Sequence, residues 1–158
     1  MGKFASLLYR LFSLKQTETP LDKECLSKIP ILLIEDNQLV VYNIKKLLEQ
    51  QGYFVTTVED GSKALHFLKS YTYDWALLDL VLPEIDGIDL VKNYRDWEKE
   101  VNKSYLPVFG LTGYPFKSME HICKEAGMDF LFEKPFKADD LKLIENFLKK
   151  IKTTPPKS

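Results

Sequence analysis

The stretch from Trp75 to Gly87, WALLDLVLPEIDG, constrains this chain more than any other. Apolar residues run straight into Asp79, and a turn containing Pro83 and Gly87 follows. An unbroken apolar run between turn residues marks a strand buried on both faces of a parallel sheet. Such a strand ends at the carboxyl edge of the sheet, where open α/β folds bind their ligands. Asp79 therefore stands where the apolar run stops and water begins. Aspartate is also a common turn former and helix cap, so the choice between those roles rests on the rest of the chain.

From Pro30 a regular alternation sets in. Ile31–Ile34 is a short apolar strand running into Glu35, Asp36 and Asn37. Leu39, Val40, Ile44, Leu47 and Leu48 then recur at helical spacing, and Gly52 stops the helix. Tyr53–Val58, rich in β-branched and aromatic residues, reads as a second strand. Asp60 and Gly61 turn the chain into a helix with Ala64, Leu65 and Leu68 on one face. After the strand at Trp75, a third helix carries Ile88, Leu90, Val91 and Tyr94 to about Asn102. Leu106–Leu111 is a fourth strand, with Pro107 near its start where the ladder is incomplete. Met119, Ile122, Cys123 and Ala126 mark a fourth helix closed by Gly127, Phe130–Phe132 a fifth strand, and Leu141, Ile144, Phe147, Leu148 and Ile151 the last helix. Five strands alternating with five helices through short connections predict an α/β fold: a doubly wound five-stranded parallel sheet with helices on both faces. The expected organisation is an N-terminal helix and linker over residues 1–29, one domain over 30–152, and a disordered tail over 153–158.

Bulk composition narrows the function. The chain has 158 residues, 45% of them hydrophobic and 28% charged, with a net charge of −1. That balance excludes the basic surface of a nucleic-acid binder. Cys25 and Cys123 are far apart and form no metal-ligand pattern, which fits a reducing cytoplasm and excludes a disulfide framework. His66 and His121 fall inside helical patterns without ligand-spaced neighbours. No apolar run approaches a membrane span.

Residues 1–16, MGKFASLLYRLFSLKQ, are a segment apart. Phe4, Leu7, Leu8, Leu11 and Phe12 recur at helical spacing, and the segment holds Lys3, Arg10 and Lys15 without an acidic residue. A short basic amphipathic helix of this kind can dock on a partner, pair with its own copy, fold back on the domain, or lie peripherally on a membrane. Met1-Gly2 followed by Ser6 also fits the N-myristoylation pattern. After the last helix too few residues remain for a DNA-binding or catalytic module, so output is expected to be a protein contact, a phosphorelay step, or recruitment through the N-terminal helix.

The ends of the strands carry the chemistry. The first ends in Glu35 and Asp36, the third in Asp79, the fourth in Thr112 and the fifth in Lys134. In a doubly wound sheet these ends share one edge. Carboxylates brought together there repel one another unless a positive charge is present. A hard divalent cation with oxygen ligands meets that need, and Mg²⁺ binds in this manner while keeping several waters. A lysine and a hydroxyl beside it can hold the oxygens of a phosphoryl group.

With these residues in place, residues 30 to 151 resemble the receiver domain of bacterial two-component response regulators. The resemblance implies a flavodoxin-like fold with strand order 2-1-3-4-5. Glu35 and Asp36 match the family's acidic pair, Asp79 its phosphoacceptor, Pro83 and Gly87 the following loop, Thr112 the switch hydroxyl, and Lys134-Pro135 the lysine and the proline with a cis peptide bond. It implies that Asp79 takes a phosphoryl group from a histidine kinase or a histidine phosphotransfer protein. Glu35, Asp36, Asp79 and the backbone carbonyl of Val81 would hold Mg²⁺, and Lys134 and Thr112 would bind phosphoryl oxygens. Thr112 would then reshape the face made by helix 4, strand 5 and helix 5 for a downstream protein target. The chain would catalyse only its own phosphorylation and dephosphorylation and is not otherwise an enzyme.

Two positions depart from the family pattern. Leu131 stands where a rotating aromatic is usual, with Phe130 and Phe132 on either side, and Gly113 follows Thr112 where alanine is common. Val81 and Tyr114 flank the path of an attacking water, and neither can orient one; a long-lived phosphoryl group is expected. Two other readings stay open on sequence: a pseudo-receiver that binds proteins without phosphorylation, and the receiver portion of a hybrid sensor kinase.

Overall fold

A computed structural model of the protein describes residues 28–153. The N-terminal segment expected to be an amphipathic helix, most of its linker, and the tail from residue 154 lie outside the described residues.

Strands β1 (Ile29–Ile34), β2 (Tyr53–Val58), β3 (Trp75–Asp79), β4 (Val108–Thr112) and β5 (Phe130–Glu133) alternate with helices α1 (Gln38–Gln50), α2 (Gly61–Ser70), α3 (Gly87–Glu100), α4 (Phe116–Ala126) and α5 (Ala138–Thr153). All strands are parallel, in the order β2-β1-β3-β4-β5. Strand order reverses between β1 and β3, which opens the crevice at their carboxyl ends.

Period-two alternation assigns the side chains of the central strands to two cores. Leu32, Ile34, Ala76, Leu78 and Val108 pack with Ala64 and Leu68 of α2, Leu90, Val91 and Tyr94 of α3 and Cys123 of α4. Ile31, Leu33, Trp75, Leu77, Phe109 and Leu111 pack with Val41, Ile44 and Leu48 of α1 and Leu141 and Ile144 of α5. Every residue of β3 is buried, as the opening stretch predicts.

Helix ends follow local chemistry. The Asn37 side chain accepts the Leu39 and Val40 N–H groups at the start of α1, and Asp60 accepts the Lys63 N–H at the start of α2. These are donors the helix itself leaves unpaired. Gly127 ends α4 at φ 100°, a left-handed conformation that glycine adopts without a Cβ clash.

Some boundaries and faces differ from expectation. β1 begins at Ile29 and α5 runs through Thr153, one residue beyond the expected domain at each end. β4 begins at Val108, because Pro107 has no N–H; its carbonyl instead accepts from Ala76. Leu39, Ile122 and Ile151, counted on apolar stripes, are exposed.

Candidate functional site

β1 and β3 are hydrogen-bonded neighbours, so the residues that follow or end them meet at one edge. Glu35, Asp36 and Asp79 each place a carboxylate oxygen within 4.8 Å of the others. Glu35 is 0% exposed and Asp79 6%, while Asp36 is open to solvent. Hard oxygen donors at this spacing, two buried and one reachable from water, fit a small divalent cation that keeps part of its hydration shell.

Each buried carboxylate is held by named donors. Glu35 Oε1 accepts the Asn37 N–H at 3.0 Å, and Glu35 Oε2 accepts the Lys134 ammonium at 2.7 Å. Asp79 Oδ1 accepts the Val81 N–H at 3.1 Å, and Asp79 Oδ2 accepts the same ammonium at 2.8 Å. Burial raises the Glu35 pKa, with the Asp79 charge adding to it, against the lowering effect of Lys134 and the Asn37 N–H. Burial pulls the Lys134 pKa down, but hydrogen bonds and charge from Asp79 and Glu35 outweigh it and leave the pKa raised. The lysine is therefore a fixed positive charge between two carboxylates.

Thr112 ends β4 and is buried, but its hydroxyl is engaged locally. It accepts the Tyr114 N–H at 3.0 Å and donates to the Tyr114 carbonyl at 3.5 Å. The structure thus joins Glu35, Asp36, Asp79 and Lys134 directly and places Thr112 one strand away, with its hydroxyl turned into its own loop. The Lys134 N–H bonds the Thr112 carbonyl, which fixes β5 to β4 beside the site. The Lys134-Pro135 peptide bond is cis.

The loop after Asp79 is shaped by Gly87, which the sequence offers only as a motif match, and by Glu84, which the sequence does not single out. The Gly87 N–H bonds the Leu80 carbonyl at 2.9 Å, and a Cβ on Gly87 would lie 2.7 Å from the Asp79 carbonyl oxygen. Only glycine allows α3 to start this close to the strand. Glu84 adopts φ 68°, uncommon for a residue with a side chain. Asn37 was also missed: it both caps α1 and orients Glu35. An Asn just ahead of an apolar-periodic run was its signal.

Among the described residues, no helix is long and apolar enough to cross a membrane.

The family model of the response regulator receiver domain matches residues 31–145. The sensor protein GacS of Pseudomonas syringae pv. syringae is 31% identical over 105 residues, which are 66% of this chain and 12% of that protein. The peroxide stress-activated histidine kinase mak3 of Schizosaccharomyces pombe is 33% identical over 114 residues, 70% of this chain and 5% of that kinase. The chain thus spans a small part of these relatives. Among solved structures, the receiver domain of the sensor histidine kinase PA1611 from Pseudomonas aeruginosa PAO1 is 32% identical, with a TM-score of 0.68 over 77% of this chain and 98% of that one. That structure holds a magnesium ion in its active-site cleft.

Proposed function

The chain belongs to the receiver-domain family of two-component systems, and on that premise we propose that it accepts a phosphoryl group on Asp79 and switches protein contacts in response. The observation that carries this reading is the convergence of Glu35, Asp36 and Asp79 within 4.8 Å, with the Lys134 ammonium bridging the two buried carboxylates.

In this reading an Asp79 carboxylate oxygen attacks phosphorus in a phosphohistidine or a small phosphodonor, in line with the leaving group. The P–N bond of the phosphohistidine breaks with its electron pair staying on the imidazole nitrogen, or the P–O bond of a small acyl phosphate donor breaks with the pair leaving on the carboxylate oxygen, and an acyl phosphate forms on Asp79. Glu35, Asp36, Asp79 and the Val81 carbonyl would hold Mg²⁺, which supplies positive charge to offset the phosphoryl oxygens when bound. Lys134 exchanges a carboxylate partner for a phosphoryl oxygen. The Val81 N–H holds one oxygen of Asp79 and so orients the carboxylate before reaction. Thr112 reaches the phosphoryl group by releasing the Tyr114 backbone.

The partners supported by this chemistry are a histidine kinase or histidine phosphotransfer protein as donor and a protein target for output. The site serves self-phosphorylation and its reversal rather than turnover of a separate substrate. Its expected setting is the cytoplasm, where such donors act.

Intact mass after incubation with acetyl phosphate and Mg²⁺ tests the proposal. A Mg²⁺-dependent gain of one phosphoryl group in the wild type and none in Asp79→Asn is the expected result. No gain in the wild type, together with no binding of beryllofluoride, would leave a pseudo-receiver that works as a constitutive protein-binding module.

A further inference from the structure

The usual position of a rotating aromatic in β5 holds Leu131, which is buried on the α2–α4 side of the sheet with Met128 and Cys123. The rings of this strand lie on the other side. Phe132 is buried in the core shared with α1 and α5, and Phe130, on the same face, is 46% exposed at the sheet's edge strand. Phe130 and Phe132 stack at 5.8 Å with 19° between their planes. Phe136, two residues past Lys134, meets Phe132 edge-on at 5.8 Å and 87°. Phe109 of β4 and Phe147 of α5 close the cluster: Phe109 lies 6.3 Å from Phe132 and 5.8 Å from Phe147, and Phe147 lies 6.4 Å from Phe130.

We propose that Phe136, seated against Phe132, is a positioning residue for Lys134, and that the same ring contacts carry the displacement of Lys134 to Phe130 on the surface. The proposal rests on the phosphoacceptor reading above. Lys134 leaves β5 with its main chain tied to Thr112 and its ammonium tied to Glu35 and Asp79. Phe136 is the next large side chain along the β5–α5 connection and the first anchored in a core. A close-packed ring cluster does not deform smoothly, so a shift at one end repacks its neighbours. Across the sheet, Leu131 offers no ring to turn, and the Thr112 hydroxyl is occupied by its own loop. The shortest run of rings in contact from the site to the surface among the described residues is therefore Phe136, Phe132, Phe130.

The test uses the full chain with 4-fluorophenylalanine placed at position 130, observed by fluorine NMR, and titrations with Mg²⁺ and with beryllofluoride. In the wild type, beryllofluoride with Mg²⁺ shifts the resonance of residue 130. In Phe136→Leu, beryllofluoride affinity falls by about tenfold, the scale of one aromatic pair, while Mg²⁺ affinity is not weakened and the shift at 130 is largely lost at saturation. Phe136→Tyr, which keeps the ring, restores both. Unchanged beryllofluoride affinity and an unchanged shift in Phe136→Leu overturn the proposal. So does parallel loss of Mg²⁺ affinity with no rescue by Phe136→Tyr, which marks damage to the fold. If the wild type binds no beryllofluoride, the phosphoacceptor reading itself falls, and this inference with it.

Discussion

The ammonium of Lys134 lies 2.7 Å from Glu35 Oε2, a contact between residues 99 positions apart in the chain. The same nitrogen lies 2.8 Å from Asp79 Oδ2. One positive charge thus compensates two buried carboxylates, and a divalent cation at this edge would serve the same carboxylates. Lys134→Met removes that charge and leaves Glu35 and Asp79 facing each other. In EDTA the variant is expected to lose about 1.5–3 kcal/mol, the range for a hydrogen bond to a charged group. Mg²⁺ should restore more stability to the variant than it adds to the wild type, because it neutralises a larger uncompensated charge. Urea denaturation of both proteins in EDTA and in Mg²⁺ measures this. Equal Mg²⁺ stabilisation of the two would show that lysine and cation do not share these carboxylates.

In the proposed phosphorylated state, two exposed side chains are expected to set the lifetime of the phosphoryl group. Val81 is 56% exposed and Tyr114 60%, on the loops that follow Asp79 and Thr112. Neither carries a carboxylate or amide to align a water for attack on phosphorus. Replacing them to give Val81→Asn, Tyr114→Glu should speed loss of the phosphoryl group, by up to about a hundredfold if the new groups act as a positioned base. Phosphorylated Asp79 followed by mass over time reads the rate directly. Decay no faster than in the wild type would remove these two positions from the account.

Most of the architecture was legible because strands and helices here differ in period as well as composition. Ile31–Ile34 and Trp75–Leu78 are continuous apolar runs, and the burial of both confirms that such runs belong to sheet interiors. The acidic and basic residues at strand ends could be read because parallel topology alone brings those ends together. What could not be read was which way a side chain turns at a boundary. Position puts Thr112 at the end of β4, where the structure has it, but the bonding of its hydroxyl to Tyr114 is a choice made by the local loop. Helical spacing likewise could not tell that Leu39 and Ile122 face outward, since a stripe two residues wide covers both the core contact and its margin. The role of Asn37 was hidden because one residue does two tasks, capping a helix with its side chain and orienting Glu35 with its N–H.

At the opposite edge of the sheet an ion pair holds α3 against the starts of β4 and β5. Arg95 donates to Glu98 Oε2 at 2.8 Å, and its other nitrogens bond the Gly127 carbonyl at 3.0 and 2.9 Å. Glu98 Oε1 accepts the Leu106 N–H at 2.9 Å, and both charged side chains are buried. Glu98→Ala removes the nearer carboxylate and strands the Leu106 N–H, while Arg95 keeps the Gly127 carbonyl and Asp129 at 3.6 Å, so a loss of about 1.5–3 kcal/mol is expected. The double variant Arg95→Ala, Glu98→Ala should lose less than the sum of the single changes, because each single change already breaks the one Arg95–Glu98 bond. Phosphorylation of Asp79 should persist in every variant that remains folded, as the pair lies where β4 and β5 begin and Asp79 lies where β3 ends. Urea midpoints for the four proteins of this cycle measure the coupling, and strictly additive losses would mean that the two side chains act independently.

Two glycines near the site should respond oppositely to an added methyl group. At Gly87 the new Cβ would lie 2.7 Å from the Asp79 carbonyl oxygen and 2.9 Å from Leu80 Cα, both main-chain atoms that cannot turn aside. Gly87→Ala must push α3 off the end of β3, at a cost of about 1–3 kcal/mol, and it should slow phosphorylation by displacing Asp79. At Gly113 a Cβ would meet nothing within 4 Å, and the residue is not at positive φ. Gly113→Ala should therefore be neutral or add about 0.4–1 kcal/mol by restricting the unfolded chain, with phosphorylation unchanged. Thermal midpoints and acetyl phosphate labelling of the two variants, compared side by side, separate close approach from open space. A Gly87→Ala protein as stable and as readily labelled as Gly113→Ala would show that α3 is free to move away from the phosphoacceptor strand without consequence.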